Sequence, residues 1–284
     1  MDTKKLLIGA VLILMTILSC SRGENMDNEA LKLLSQDPKE FNKVYKDKEI
    51  DLSNTDMRGM VIRAANLSGA NMKGADLRKT RFIRSNLNKA NLSGAVMTKV
   101  LFDNSTLKEI VMKKNRLNNV KFLDCPVRKA NLSDSKLTEV TFERCNLTDS
   151  NIKNIQCLEC VFYKSEIQDC EAENSTFEKG IINDSRFMGS NLTDARFNTK
   201  IIEYSSFGDC NLTRTDFSES SFKGQLWSQP SFRRSEAKDS KFSKCKMDFV
   251  DMSRANLENA DFTDAYLELV GFEYANLTNA DFTM

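Results

Sequence analysis

Histidine is absent from the 284 residues of this chain, and tryptophan (one residue) and proline (three residues) are scarce. Without histidine the chain lacks the commonest general base and metal ligand, and Ser-His-Asp and Cys-His nucleophilic schemes are excluded. The 11 glycines and three prolines are also too few for a β-sandwich or barrel rich in tight turns. No catalytic, metal-binding or cofactor motif is present, so we predict that the protein is not an enzyme and uses no cofactor.

Charge is balanced, with 41 Lys and Arg residues against 40 Asp and Glu residues. Proteins that capture nucleic acid electrostatically have a basic excess, so we expect no nucleic-acid partner. Apolar residues make up 40% of the chain, which is enough for a core, and the 18 phenylalanines suggest a recurring position that suits a phenyl ring.

The N-terminus has the pattern of an export signal, because two lysines precede a short apolar stretch at 6–18. That stretch is too short to be typical of a bilayer span. Residues Ile17, Leu18, Ser19 and Cys20 resemble a bacterial lipobox. The resemblance implies that a lipoprotein signal peptide (1–19) is removed and that Cys20 becomes the lipidated N-terminus. The alternative is an uncleaved N-terminal anchor with Cys20 as an incidental thiol.

Lipidation at Cys20 would join the protein to a membrane, because each buried methylene of the acyl chains contributes roughly 0.8 kcal/mol. We therefore expect a lipid-anchored protein of the bacterial cell envelope, at the outer membrane or the periplasmic face of a membrane. Residues 20–49 would form a tether and a cap. Leu31, Leu34, Phe41 and Val44 favour one or two short amphipathic helices interrupted at Pro38, although a longer disordered tether is the alternative.

A five-residue pattern dominates the rest of the chain. Every fifth residue from Leu52 to Phe282 is apolar, and the residue two places earlier is mostly small. The segment Ala65-Asn66-Leu67-Ser68-Gly69 shows the motif plainly. We call these two positions the central slot and the small slot. A period of five fits neither a helix of 3.6 residues per turn nor a simple strand.

This motif resembles the pentapeptide-repeat family. The resemblance implies an all-β fold over residues 50–284, a right-handed quadrilateral β-helix in which four units complete one coil, with a short N-terminal helical cap. Both slots would point inward. Such coils bury their apolar side chains only by stacking on one another.

Since the five-residue spacing is unbroken, we expect stacked residues to lie 20 positions apart. One predicted column consists of Phe82, Phe102, Phe122, Phe142, Phe162, Ile182, Ile202, Phe222, Phe242, Phe262 and Phe282.

The seven cysteines after Cys20 all occupy slots of the repeat, and burial as small apolar residues explains each of them. A Cys125–Cys145 disulfide remains an alternative, because these residues would lie one coil apart in one column. Cys157 and Cys160 form a C-x-x-C string, but without histidine or a second such pair we expect no zinc site. The small slot is interrupted by Asn115, Lys200, Gln225 and Pro230. We expect Lys200 to point outward or the wall to bulge there, since an unpaired buried ammonium is unfavourable.

The outward positions around Ile62, Phe82 and Phe102 are richer in apolar residues than the other three faces. Exposed apolar surface with aromatic members is typical of contact sites. The alternative is that these residues serve stacking alone. The candidate partner-binding residues are Val61, Ile83, Leu101, Leu123, Val161, Tyr163, Ile181, Ile201 and Tyr204.

The sequence therefore favours a non-enzymatic, lipid-anchored envelope scaffold or protein-interaction module with an unknown protein partner. The repeat continues to Phe282, which also predicts a homodimer through the C-terminal coil. The family offers an alternative function, since some of its cytoplasmic members mimic DNA and protect type II topoisomerases. Neutral charge and the export signal disfavour that alternative here.

Overall fold

The computed structural model describes residues 24–284, with side chains from residue 29 onward. The predicted signal peptide and Cys20 lie outside the described residues. Within the described part of the chain, no helix has the length and apolarity needed to cross a membrane.

Two short helices precede the repeats, α1 (Glu24–Gln36) and α2 (Pro38–Val44). Asp37 caps α2, because its carboxylate accepts a hydrogen bond from the Glu40 N–H at 3.0 Å. Pro38 takes the first position of α2, where its missing N–H is of no consequence. The predicted helical pair, interrupted at Pro38, is confirmed.

The helices cover the first coil of the repeat region. Leu34 and Phe41 are fully buried in the same core as the repeats. The Asn42 side-chain amide donates to the Ala64 carbonyl at 2.9 Å and accepts from the Asn66 N–H at 2.6 Å. These bonds satisfy backbone groups of the first coil, which has no preceding coil to pair with.

The repeats form a parallel β-solenoid with two continuous sheets. The 11-stranded sheet contains, in order, β1 (Val61–Arg63), β2 (Arg81–Ile83), β4 (Leu101–Asp103), β6 (Lys121–Leu123), β8 (Thr141–Glu143), β10 (Val161–Tyr163), β12 (Ile181–Asn183), β14 (Ile201–Glu203), β15 (Ser221–Lys223), β16 (Lys246–Asp248) and β17 (Tyr266–Glu268). The 6-stranded sheet contains β3 (Val96–Thr98), β5 (Arg116–Asn118), β7 (Lys136–Thr138), β9 (Gln156–Leu158), β11 (Thr176–Glu178) and β13 (Arg196–Asn198).

Successive coils pair in register along both sheets. Phe102 is the Cα partner of Phe122, and Leu117 is the partner of Leu137. The other two walls are joined by isolated parallel bridges, such as Asn71 to Asn91. Four five-residue units thus complete each regular coil, as predicted.

The chain turns each corner through a left-handed backbone conformation. In the described chain, the residue two places after the central slot has a positive φ at every five-residue step from Asn54 to Asn279 except 199, 224 and 229. Glycine, asparagine and aspartate tolerate this conformation best. The exceptions coincide with two irregularities of the solenoid described below.

Side chains of the small slot form a buried polar column as well as filling space. The Ser165 hydroxyl donates to the Phe142 carbonyl and accepts from the Cys145 N–H, both at 3.1 Å. The Cys145 thiol makes the equivalent contact with the Phe122 carbonyl at 3.3 Å. Serine and cysteine can both occupy this slot, because each is small and its side chain donates to a backbone carbonyl.

One coil is longer than the others, which contradicts the predicted uniform spacing. Phe222 pairs with Met247, and the side chains of Arg234 and Asp209 pair across 25 residues. The additional residues, 225–229, leave the wall as a loop closed by an antiparallel bridge between Gln225 and Ser228. Trp227, assigned to a central slot by the spacing, is 93% exposed.

The long coil also changes the predicted phenylalanine column. Phe82 to Phe162 stack as expected, with ring centroids 4.8–5.2 Å apart. Beyond Phe222, however, the column continues with Met247 and Leu267. Phe242 instead stacks on Phe217 at 5.3 Å. The prediction placed Phe242, Phe262 and Phe282 on the wrong wall, because it assumed four units in every coil.

The second irregularity lies at Lys200. Thr199 turns into the core in its place, and its backbone N–H donates to the Ser220 hydroxyl at 3.2 Å. Lys200 is exposed. This arrangement confirms that the lysine points outward and that the wall is locally distorted.

A disulfide joins Cys157 and Cys160 across one corner of a single coil. All seven described cysteines are buried as predicted, but Cys125 and Cys145 are free thiols. Gly180 lies above Cys160 in the next coil, and a Cβ there would come within 2.5 Å of the Cys160 carbonyl oxygen. The sequence reasoning considered this C-x-x-C pair only as a metal site and missed the bond.

Candidate binding face

All nine predicted contact residues lie on the 11-stranded sheet or its adjoining corner. Val161 pairs with Ile181, and Ile181 pairs with Ile201, so three branched side chains form one outward row. Tyr163 lies beside this row at the end of β10. Ile181 is 38% exposed, and the others are half-buried.

The N-terminal members of the set are more dispersed. Leu101 lies between Arg81 and Lys121 in its row. Leu123 lies between Asp103 and Glu143. Charged neighbours therefore interrupt the apolar surface in the first coils, and the structure brings only Val161, Tyr163, Ile181, Ile201 and Tyr204 together.

The long coil extends this apolar surface in a way that the sequence reasoning missed. Phe249 and Leu269 are the corner residues of the two coils that follow Gly224, and Tyr204 is the corner residue of the coil before it. Adjacent coils are about 4.8 Å apart, so these side chains line one edge of the solenoid. The loop places Leu226 (67% exposed) and Trp227 on the same edge. We call Tyr204, Leu226, Trp227, Phe249 and Leu269 the Trp227 patch.

The corner residues of the patch are unusual for their conformation. Tyr204, Phe249 and Leu269 have φ values of 51°, 53° and 53°. Large apolar side chains are disfavoured in this left-handed region. Leu269 is 64% exposed, and Tyr204 and Phe249 are half-buried, so burial offsets this strain only in part. Among the corners that the structure describes, the only other large apolar or aromatic residue in this conformation is Tyr274. The stability of the fold therefore does not explain why three such residues occupy corners on one edge.

The loop is held firmly at its base. The Gly224 N–H donates to the Asp248 carbonyl at 2.9 Å, and the Asp251 N–H donates to the Pro230 carbonyl at 3.0 Å. A Cβ at Gly224 would lie 2.5 Å from the Phe249 carbonyl oxygen, so the close approach requires glycine. The Gln225 amide donates to the Tyr204 hydroxyl at 3.0 Å. The base of the loop that carries Trp227 is therefore held in place.

Charges of both signs surround the patch. Lys223 lies between Glu203 and Asp248 on neighbouring strands. The Tyr266 hydroxyl donates to the Glu268 carboxylate at 2.9 Å, and this bond raises the pKa of Tyr266. The tyrosine stays neutral at physiological pH, so the edge combines aromatic surface with a polar, mixed-charge rim.

The loop exposes Leu226 and Trp227, and exposed apolar surface of this kind is typical of macromolecular contact sites. Within residues 24–284, no group of three His, Cys, Asp or Glu side chains lies close enough to hold a metal ion. Gln225 and Pro230 in the small slot were the sequence signals that bracket the loop. Phe249, a phenylalanine outside the central slot, was a further signal.

The structure defines the class of the protein as a four-sided parallel β-solenoid built from five-residue units. Residues 95–177 match a family model described as a pentapeptide repeat region. Residues 48–78, 62–98, 75–113 and 245–283 match a model of pentapeptide repeats in 8 copies. Together these matches cover more than half of the chain, which belongs to the pentapeptide-repeat family. Both irregularities lie in the unmatched interval.

The solved structures to which this chain is similar are distant in sequence. HetL, a pentapeptide repeat protein involved in heterocyst differentiation regulation from the cyanobacterium Nostoc sp. strain PCC 7120, is 14% identical, with 84% of this chain and 93% of that chain covered and a TM-score of 0.29. Full-length QnrB1, a plasmid-mediated fluoroquinolone resistance protein, is 14% identical, with coverage of 81% and 93% and a TM-score of 0.25. Curated proteins give no significant sequence match.

Proposed function

We propose that this protein is a non-enzymatic scaffold, held in the bacterial envelope by lipid at Cys20, that docks a protein partner through the Trp227 patch and the adjoining row. The observation that carries the proposal is the exposure of Trp227, which is 93% exposed and lies beside Tyr204, Phe249 and Leu269. These three large residues occupy corners with a left-handed backbone. The face is dominated by apolar and aromatic side chains, so binding is the activity that its chemistry supports.

Aromatic anchors supply much of the energy at protein interfaces, particularly when they enter a pocket on the partner. Trp227 and Leu226 form such an anchor, because they project from the wall on a loop with a fixed base. The partner would offer an apolar pocket of indole size. The row of Val161, Ile181 and Ile201 would then contact the partner at one side of the same interface. Lys223 and its acidic neighbours would lie at the rim.

Residues 20–49 would combine attachment and capping. In this proposal, lipid at Cys20 leaves a few residues of tether before α1, and α1 and α2 join that tether directly to the first coil. Metabolic labelling with an alkynyl fatty acid tests the anchor in the native host. We expect labelling of the unsubstituted protein and none of Cys20→Ala. Equal labelling of both would refute lipidation at Cys20.

Photo-crosslinking in intact cells tests the docking face. A photoreactive residue introduced at Ser221, between the row and the loop, should yield one specific crosslinked protein. Trp227→Ala and the pair Ile181→Asp with Ile201→Asp should each reduce that product at least tenfold. Leu158→Asp is the matched control, because Leu158 is an exposed apolar residue on the other sheet. Equal yields from all variants would reject the face as the docking site.

The last coil offers a second contact surface. Its central residues Leu267, Phe272, Leu277 and Phe282 are less buried than those of the preceding coils, and Phe282 is 42% exposed. We propose that these ends pair in a homodimer. Multi-angle light scattering should report a dimer that Phe282→Asp converts to a monomer, and a monomeric unsubstituted protein would refute the pairing.

A further inference from the structure

A surface groove on the first coils is lined by three arginines, Arg63, Arg81 and Arg84. It has a volume of about 390 Å³ and lies between β1, β2 and β4 of the 11-stranded sheet, at the opposite end from the Trp227 patch. Ala64, Ile83, Asp103 and Asn104 complete its lining.

These arginines differ from most others in their partners. In the described chain, eight arginines form ion pairs with carboxylates: Arg58, Arg78, Arg128, Arg144, Arg186, Arg196, Arg214 and Arg234. Six do not, and three of those six line this single groove. Asp103 contributes the one carboxylate of the lining, and it forms no ion pair with any of the three arginines.

The floor of the groove is apolar. Ile83 points outward from β2 but is only 9% exposed. Arg63 is the Cα partner of Ile83, and Arg81 lies two residues before it, so arginine side chains flank it on both strands. The groove thus combines a covered aliphatic floor with guanidinium groups around it.

The charge of the surrounding coils favours an anionic ligand. Residues 50–100 contain nine lysines and arginines against three aspartates, whereas residues 251–284 contain one arginine against seven acidic residues. The neutral total therefore hides a basic N-terminal end and an acidic C-terminal end. A local excess of positive charge attracts anions over distances near a Debye length, about 8 Å at physiological salt.

A neighbouring groove provides an internal comparison. Arg58, Arg78 and Lys79 line a larger cavity of about 580 Å³. There, however, Arg58 binds Asp56 through two hydrogen bonds of 2.8 and 2.5 Å, and Arg78 binds Asp76. Its guanidinium groups already have anionic partners, whereas those of Arg63, Arg81 and Arg84 do not.

We propose that the groove of Arg63, Arg81 and Arg84 binds a phosphate group. Guanidinium groups match phosphate oxygens in geometry and charge, and three of them around one groove can contact one anion together. The aliphatic floor at Ile83 suits a phosphate ester whose carbon chain packs on the isoleucine, as in a phospholipid. The inference is independent of the docking face and of lipidation at Cys20.

Nuclear magnetic resonance of the arginine Nε–Hε groups in detergent-solubilised full-length protein tests the proposal. Inorganic phosphate and dihexanoyl phosphatidylglycerol below its micellar concentration are the two probes. We expect saturable shifts of the Arg63, Arg81 and Arg84 signals. Tighter binding of the lipid would identify a headgroup as the ligand, and tighter binding of inorganic phosphate would identify a soluble phosphate.

Two variants with the same loss of charge separate the site from general attraction. Replacing Arg63, Arg81 and Arg84 with Gln should weaken binding of the better probe at least tenfold. Replacing Lys113, Arg116 and Arg233 with Gln removes three cations elsewhere on the protein, and it should change the affinity for the same probe less than twofold. Shifts that do not saturate, or an equal loss in both variants, would overturn the proposal.

Discussion

Phe222 and Met247 are partners on adjacent strands although 25 residues separate them, whereas their neighbours along the same sheet are 20 residues apart. Between them the chain makes one regular coil and one additional five-residue unit. The unit is extruded because its small slot holds Gln225 and its central slot holds Trp227, which has a larger side chain than the phenylalanines that fill this slot elsewhere. The extruded unit carries Leu226 and Trp227, which are the most exposed residues of the Trp227 patch.

Deleting residues 225–229 should leave the fold intact. Gly224 and Pro230 already occupy regular positions of the backbone ladder, so the deletion joins two ends that fit a coil of four units. We expect the free energy of unfolding to change by no more than about 1 kcal/mol, because shortening a surface loop has a small entropic effect. Urea denaturation followed by circular dichroism measures this.

Deletion of only residues 226–229 is the control for that experiment. It leaves one surplus residue, which shifts every following side chain relative to its slot, so the C-terminal coils should lose their cooperative unfolding. If both deletions destabilise the protein equally, the additional unit is not a discrete insertion.

Phe142→Ala should destabilise the solenoid by about 3–5 kcal/mol, the usual range for removing a buried phenyl ring. Its ring is buried and stacks on Phe122 at 4.8 Å and on Phe162 at 5.2 Å. Trp227→Ala should change stability by less than about 0.5 kcal/mol, since the side chain is exposed. Comparable losses in the two variants would contradict the assignment of Trp227 to the surface.

Thiol alkylation should separate the described cysteines into two classes. Burial raises the pKa of Cys170, Cys210 and Cys245 to about 12, so these thiols stay protonated and unreactive at pH 8 in the folded protein. After denaturation without reductant, Cys125, Cys145, Cys170, Cys210 and Cys245 should be alkylated, and Cys157 and Cys160 only after reduction. Peptide mass spectrometry identifies the alkylated cysteines. Alkylation of Cys157 without reductant would contradict the disulfide.

Stability should fall in acid through carboxylates that bridge neighbouring coils. Hydrogen bonds from Arg144, Arg214 and Arg234 lower the pKa of Asp124, Asp194 and Asp209, respectively. Because the folded-state pKa values are depressed, this stabilisation is present above about pH 4, the unfolded value for aspartate, and is lost as pH falls through the folded values.

Urea midpoints measured between pH 6 and pH 2 test that relationship. The triple replacement of Asp124, Asp194 and Asp209 with Asn should lower the midpoint at pH 6 and flatten its decline below pH 4. Salt should reduce the difference, because these pairs are exposed. A decline of unchanged steepness in the triple variant would assign the acid sensitivity to other groups.

The sequence predicted the repeated architecture because each unit must bury its own two slots. The helical cap was likewise predictable from the sequence. Leu34 and Phe41 belong to an apolar pattern typical of a helix, and Pro38 restricts the backbone between the two helices. These features depend on short-range rules that any one segment obeys.

The long coil could not be found by the same reasoning, because inserting a whole unit preserves the five-residue spacing on both sides. Only Gln225, Pro230 and the large Trp227 mark it, and their effect depends on the available space inside the tube. The Cys157–Cys160 bond was also missed. The slots predicted that both side chains point inward, but the sequence alone does not show that the two sulfur atoms meet around one corner. The Trp227 patch could not be predicted either, because it depends on the register between coils and on the corner geometry, and neither is a local property of the sequence.

The Trp227 patch and the long coil depend on the register between β15 and β16, and amide-detected NOE spectroscopy on deuterated protein measures that register directly. The account predicts cross-strand contacts from the Phe222 region to Met247 and from Ser206 to Ser231. Contacts from Phe222 to Phe242 and from Ser206 to Leu226 would show an unbroken 20-residue register, and would contradict the long coil and the Trp227 patch with it.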